Sequence, residues 1–101
     1  MDAAVAKKYN ADLDNFLQTT ETIPLGIWNN ICDAIAYDAA TTVNWACHKL
    51  KIIYLRVQQG EKIYFPDIDQ ALDKSSFEKM IVDHFGEHCL NWILEYKFQS
   101  E

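Results

Sequence analysis

The chain has 101 residues, half of them apolar and 13% aromatic, with only three Gly and two Pro. That is the size and composition of one folded domain with its own core, and it excludes a disordered or low-complexity segment. The formal net charge is −6, with fifteen acids against eight Lys and one Arg, which argues against a phosphate-binding groove and against adsorption to an anionic membrane.

No run of 18 apolar residues is present, as a membrane-crossing helix would require. The opening stretch MDAAVAKKYNADL carries Lys7 and Lys8 where a secretory signal would have its apolar region, and no Asn-x-Ser/Thr sequon occurs. Cys32, Cys47 and Cys89 are odd in number and lack a CxxC spacing. Together these features point to an intracellular, cytoplasmic protein with reduced thiols.

Residues 2–18 read as an amphipathic helix, with Val5, Tyr9, Leu13, Phe16 and Leu17 on one stripe and Lys7, Lys8, Asp12 and Asp14 opposite. QTTETIP breaks that pattern. Thr22 is placed to cap a second helix with Pro24 in its first turn, and Ile27, Ile31, Ala34 and Ile35 form its buried stripe, broadened by Trp28 and Cys32. Thr41 or Thr42 then caps a third, shorter helix that runs to Leu50.

KIIYLRVQQGEKIYF, residues 51–65, is rich in strand-favouring residues. A hairpin turning at Gln58-Gln59-Gly60 puts Ile53, Leu55, Val57, Ile63 and Phe65 on one face. It leaves Tyr54, Arg56, Lys62 and Tyr64 as an exposed patch on the other. The competing reading is one helix from Thr42 to Gln59, capped by Gly60.

Beyond it, Asp67 and Gln70 could cap a short helical turn, and Ser75-Ser76-Phe77-Glu78 has the S-x-x-E form of a capping box. The helix it starts would carry Phe77, Met80, Ile81 and His84 on one face and stop at Gly86. In the tail, Leu94, Tyr96 and Phe98 alternate with Glu95, Lys97 and Gln99, the signature of a third strand, against a helix over 87–98. The expected fold is α+β: three or four helices packed on a small three-stranded antiparallel sheet, in the order α-α-α-β-β-α-β. An all-α bundle of five or six helices is the alternative.

Candidate chemistry is sparse. DHFGEHC sets His84 and His88 four residues apart, and with Cys47 and Cys89 they could be assembled into a zinc site or a metal-binding regulatory domain. Gly86 between the histidines opposes this, because it interrupts the helix that would align them. Asp67, Asp69 and Asp73 lack the glycine and terminal Glu of a calcium loop. No phosphate loop, G-x-S-x-G or HExxH is found. A non-enzymatic chain with no cofactor is therefore expected.

The leading expectation is a protein-binding module that acts stoichiometrically, using Tyr54, Arg56, Lys62, Tyr64, Asp67, Asp69 and Asp73 against another protein. Small acidic inhibitors and immunity-type proteins, phage-encoded ones among them, share this profile. Were the target a nucleic-acid enzyme, Asp12, Asp14, Asp33, Asp38, Asp67, Asp69 and Asp73 could stand in for phosphates in its basic channel. A self-associating subunit, pairing through a sheet edge, is the remaining class.

Overall fold

The computed structural model describes residues 3–98. Five helices surround one another and carry a single two-stranded hairpin: α1 (Ala3–Thr19), α2 (Leu25–Tyr37), α3 (Ala40–Gln58), β1 (Ile63–Phe65), β2 (Gln70–Leu72), α4 (Lys74–Phe85) and α5 (Glu87–Glu95). The expected three-stranded sheet is not formed, and the all-helical alternative lies closer to the fold.

The main correction concerns residues 51–58, which continue α3 instead of forming a strand. The physical reason is tertiary packing. α3 packs against α1, α2, α4 and α5, and its second half buries Ile52, Ile53, Tyr54, Arg56 and Val57. Only a narrow stripe through Asn44, His48, Lys51, Leu55 and Gln58 is left partly exposed, so the helical period is weakly marked and the β-branched residues imitate a strand. Gly60, with φ 99°, ends the helix. The Gly60 N–H donates to Val57 O at 3.1 Å and the Glu61 N–H to Arg56 O at 3.2 Å, the paired bonds of a Schellman cap.

The tail strand is also absent. Residues 87–95 are α5, and residues 96–98 are irregular; Gln99 lies outside the described residues. The alternation there has another cause, since Tyr96 and Phe98 both turn onto the His48 ring, at centroid distances of 5.6 and 4.8 Å. Other boundaries move by a residue or two. Pro24, not Thr22, stands at the N-cap of α2, and Asp73, not Ser75, caps α4, its Oδ1 accepting the Ser76 N–H at 2.9 Å. Asp67 and Gln70 cap no helix; they lie in the turn and at the start of β2.

On α1, Leu13 and Leu17 are buried while Tyr9 and Phe16 stay exposed, so its inward stripe is narrower than the spacing suggests. Asp2 and the side chain of Val5 lie outside the described residues. Thr22 bridges in parallel to Tyr64, so the strap over 20–23 lies along the outer side of β1. The core runs from Leu17, Ile23 and Ile31 through Leu50 and Ile53 to Phe65, Phe77, Ile81 and Ile93, all essentially sealed from solvent.

Arg56 is buried, and its Nη1 donates to Leu17 O at 2.9 Å and to Thr20 O, while Nη2 meets Glu61 Oε1 at 2.9 Å. It therefore satisfies carbonyls that the end of α1 leaves without helical partners. Arg56→Met should lower the unfolding free energy by about 1–3 kcal/mol in denaturant titrations, because those carbonyls lose their donor. Asp73 provides a separate test. The Ser76 N–H holds its carboxyl below the ordinary 3.8, so its contribution is present above that value and is lost as pH falls through the lowered folded value. Asp73→Ala should make the acid limb of a stability–pH curve shallower.

Candidate functional site

The hairpin and α4 enclose a half-polar cleft. β1 and β2 pair antiparallel with Ile63 opposite Leu72, Tyr64 opposite Ala71 and Phe65 opposite Gln70. Pro66–Asp69 make the turn, in which the Ile68 N–H donates to Phe65 O and the Asp69 N–H to Pro66 O, each at 3.2 Å. Asp69 adopts the left-handed conformation at φ 51°, which Asp tolerates better than most residues.

Contacts with α2 and α4 hold this turn against the helices, and one further bond is internal to the hairpin. Asp67 Oδ2 accepts from Trp28 Nε1 at 3.3 Å and lies 3.8 Å from His84 Nε2. The Trp28 ring meets Phe65, His84 and Phe85 at centroid distances of 5.4, 5.9 and 5.8 Å. The Tyr64 hydroxyl donates to Asp69 Oδ1, and this bond raises the Tyr64 phenol above its ordinary pKa. Between β2 and α4 lies a cleft of about 250 Å³, with Ile68, Leu72 and Met80 as its apolar lining and Gln70, Lys79 and His84 at its polar margin.

The residues singled out from sequence separate into two groups. Lys62, Tyr64, Asp67, Asp69 and Asp73 do come together, around this hairpin, with Asp67, Asp69 and Asp73 exposed. Tyr54 and Arg56 do not join them. Both are buried on α3, where the Tyr54 hydroxyl donates to Glu78 Oε2 at 3.4 Å, so the expected exposed patch of four is reduced to Lys62 and Tyr64. Of the other acids, Asp12, Asp33 and Asp38 are exposed on the helical part, whereas Asp14 is held by Lys49 Nζ at 2.6 Å and His48 Nε2 at 3.1 Å.

The histidines and cysteines are not gathered into a ligand set. His84 Nδ1 is bonded to Met80 O at 3.1 Å, and His88 stacks edge-on against Trp92 at 4.8 Å. Cys47 and Cys89 are in the core. Among the described residues no group of three or more His, Cys, Asp or Glu could hold a metal ion. Burial pushes the Cys89 thiol up to about 12, that of Cys32 up to about 11, and that of Cys47 upward, so all three are protonated near neutral pH and poor nucleophiles.

Sequence reasoning overlooked Trp28, Ile68, Gln70, Leu72 and Met80 as parts of this surface. One signal was present: the apolar Ile68 and Leu72 stand among Asp67, Asp69 and Asp73, although their spacing of four also fits the short helical turn expected there. Comparison with protein-family models, with curated proteins and with solved structures finds no match to this chain. No helix among the described residues is long and apolar enough to cross a membrane.

Asp69→Ala should bring the Tyr64 phenol back down toward its ordinary pKa of 10.0, because the bond that favours the neutral phenol is gone. A pH titration of the tyrosine ring carbons by NMR reads this directly. An unchanged Tyr64 titration would mean that the bond does not persist in solution.

Proposed function

We propose that this chain is a non-enzymatic, intracellular protein-binding module that acts stoichiometrically, covering a surface on a larger protein. The observation that carries the reading is the acidic hairpin face: Asp67, Asp69 and Asp73 stand exposed on the hairpin, beside a cleft of about 250 Å³ lined by Ile68, Leu72 and Met80 together with polar side chains that include Lys79 and Asp83. Apolar area gives affinity, and a rim of one charge selects the partner and speeds the encounter. An excess of acids favours a basic partner, and a nucleic-acid-handling protein is the target class with the most basic surface to offer.

The interior supports the same reading. Among the described residues, every buried side-chain nitrogen and oxygen has a hydrogen-bond partner. Catalytic sites characteristically keep strained or perturbed polar groups in a cleft, whereas here the buried polar groups serve packing. The acids need not imitate a regular phosphate ladder. Asp14 is engaged internally, Asp12 and Asp33 lie on α1 and α2, and Asp38 is in the turn after α2, so the hairpin acids form the compact part of the set.

A tagged pull-down from the native host, followed by reconstitution from purified components, tests the proposal. The expected result is one companion protein at a 1:1 ratio by calorimetry, with an affinity that weakens as salt is raised through about 0.1 to 1 M, because surface charges are then screened. Turnover of a small molecule, or no stoichiometric companion, would overturn it. Light scattering on the isolated chain separates this outcome from self-association.

A further inference from the structure

Backbone accounting in the hairpin shows which groups are left over. In an antiparallel ladder a residue's N–H and C=O point to the same side, and successive residues alternate sides. Tyr64 uses both groups on the strap: its N–H donates to Glu21 O at 2.8 Å, and its carbonyl accepts from the Ile23 N–H at 3.0 Å. Its cross-strand partner is Ala71. That pair is therefore a non-hydrogen-bonded one, and the N–H and C=O of Ala71 point away from β1. Ala71 is exposed, and no strand pairs with the outer side of β2 among the described residues.

The cleft lies beside this open edge. Gln70 and Leu72 project to one face of β2 and Ala71 to the other, and the cleft is on the Gln70–Leu72 face, closed by Met80 of α4 and by Ile68. A strand laid along β2 would exchange both hydrogen bonds with Ala71 through one of its residues. The side chains before and after that residue would then point to the cleft face.

Charge decides between two possible occupants. Asp69 and Asp73 lie two residues to either side of Ala71. If a second copy paired antiparallel about Ala71, Asp69 of each chain would stand opposite Asp73 of the other, and like charges directly opposite are destabilising. The same positions favour Lys or Arg on a different chain. Of the nearby cations, Lys74 is engaged with Glu78 at 3.6 Å and Lys79 with Asp83 at 2.9 Å, while Lys62 lies close enough to act on Asp73 and offsets only part of the acidic charge.

Resting on the binding reading above, we propose that the outer edge of β2 accepts an extended segment of the partner protein as an added strand, pairing at Ala71, with an apolar side chain in the cleft and basic residues opposite Asp69 and Asp73. This is strand addition: main-chain bonds supply affinity and the alternate side chains supply selectivity.

The probe is the peptide acetyl-Lys-Leu-Thr-Val-Lys-amide, titrated into the full isotope-labelled chain and followed by NMR. Its Thr matches Ala71, its Leu and Val face the cleft, and its Lys residues meet Asp69 and Asp73. The expected result is saturable shifts centred on residues 70–72 and slower exchange of the Ala71 N–H. Methylating the Thr nitrogen of the peptide leaves the protein untouched and should weaken binding by at least ~5-fold, the value of one lost hydrogen bond. Replacing both peptide Lys by Glu should abolish binding.

No binding, equal binding of the methylated peptide, or shifts centred elsewhere would each overturn strand addition. Ala71→Pro, checked for its native circular dichroism, removes the outward N–H and keeps the inward ladder bonds of Gln70 and Leu72. It should weaken binding of the reconstituted companion by at least ~5-fold. A companion that binds this variant unchanged overturns strand addition and leaves the binding-module reading standing, whereas a missing companion overturns that reading and, with it, the strand addition that rests on it.

Discussion

The constraint on which the structure depends is the enclosure of α3 by the four other helices. A helix with so wide a buried surface must find partners for any charge it carries there, and α3 carries two that are buried, Lys49 and Arg56. Lys49 is answered by α1, and Arg56 by Glu61 together with carbonyls at the end of α1. Lys49 Nζ reaches Asp14 Oδ1 at 2.6 Å in its body, and Arg56 reaches the carbonyls of Leu17 and Thr20 at its end. An unanswered charge at either position would cost several kcal/mol, so the two contacts fix α1 along and against α3.

That placement propagates to the surface. With the end of α1 held by Arg56, the strap over 20–23 runs beside β1 and takes up both backbone groups of Tyr64. One side of the hairpin is thereby covered. The other side, β2, is left as the outer edge, with α4 folded back beside it because Asp73 caps that helix immediately after the strand. The choice of β2 as the open edge thus follows from where the end of α1 directs the strap. A second polar assembly, in which His48 links Asp14 at 3.1 Å to the Tyr96 hydroxyl at 2.8 Å, ties the chain beyond α5 to the same two helices.

The acids on the hairpin face have two roles that are compatible. Some are structural: Asp67 receives the Trp28 N–H, Asp69 the Tyr64 hydroxyl and Asp73 the Ser76 N–H. Each retains lone pairs and exposure, so each also contributes negative potential at the rim. Edge strands invite unwanted pairing, and charge is a common defence. Here the same charges that repel a second copy would attract a basic strand, so specificity needs no further device.

The elements legible from sequence were those with a local cause. α1 and α2 announced themselves by spacing and the end of α4 by Gly86, whose φ of 95° few other residues adopt, whereas Gly60 marked the end of α3 only in the competing reading of one long helix. The grouping of Asp67, Asp69 and Asp73 was legible because they are near neighbours in the chain. Tyr54 and Arg56 were misplaced because their direction depended on whether residues 51–58 were helix or strand. Local preference favoured a strand there, and packing overrode it. Composition and the positions of glycine, proline and capping residues determined, without further help, that this is one acidic, helix-bearing domain. Which face of α3 met which helix, and hence which strand edge stayed open, was decided only by tertiary contacts, since wide burial leaves only a narrow polar stripe as periodic signal and an edge is defined by a neighbour that is not there.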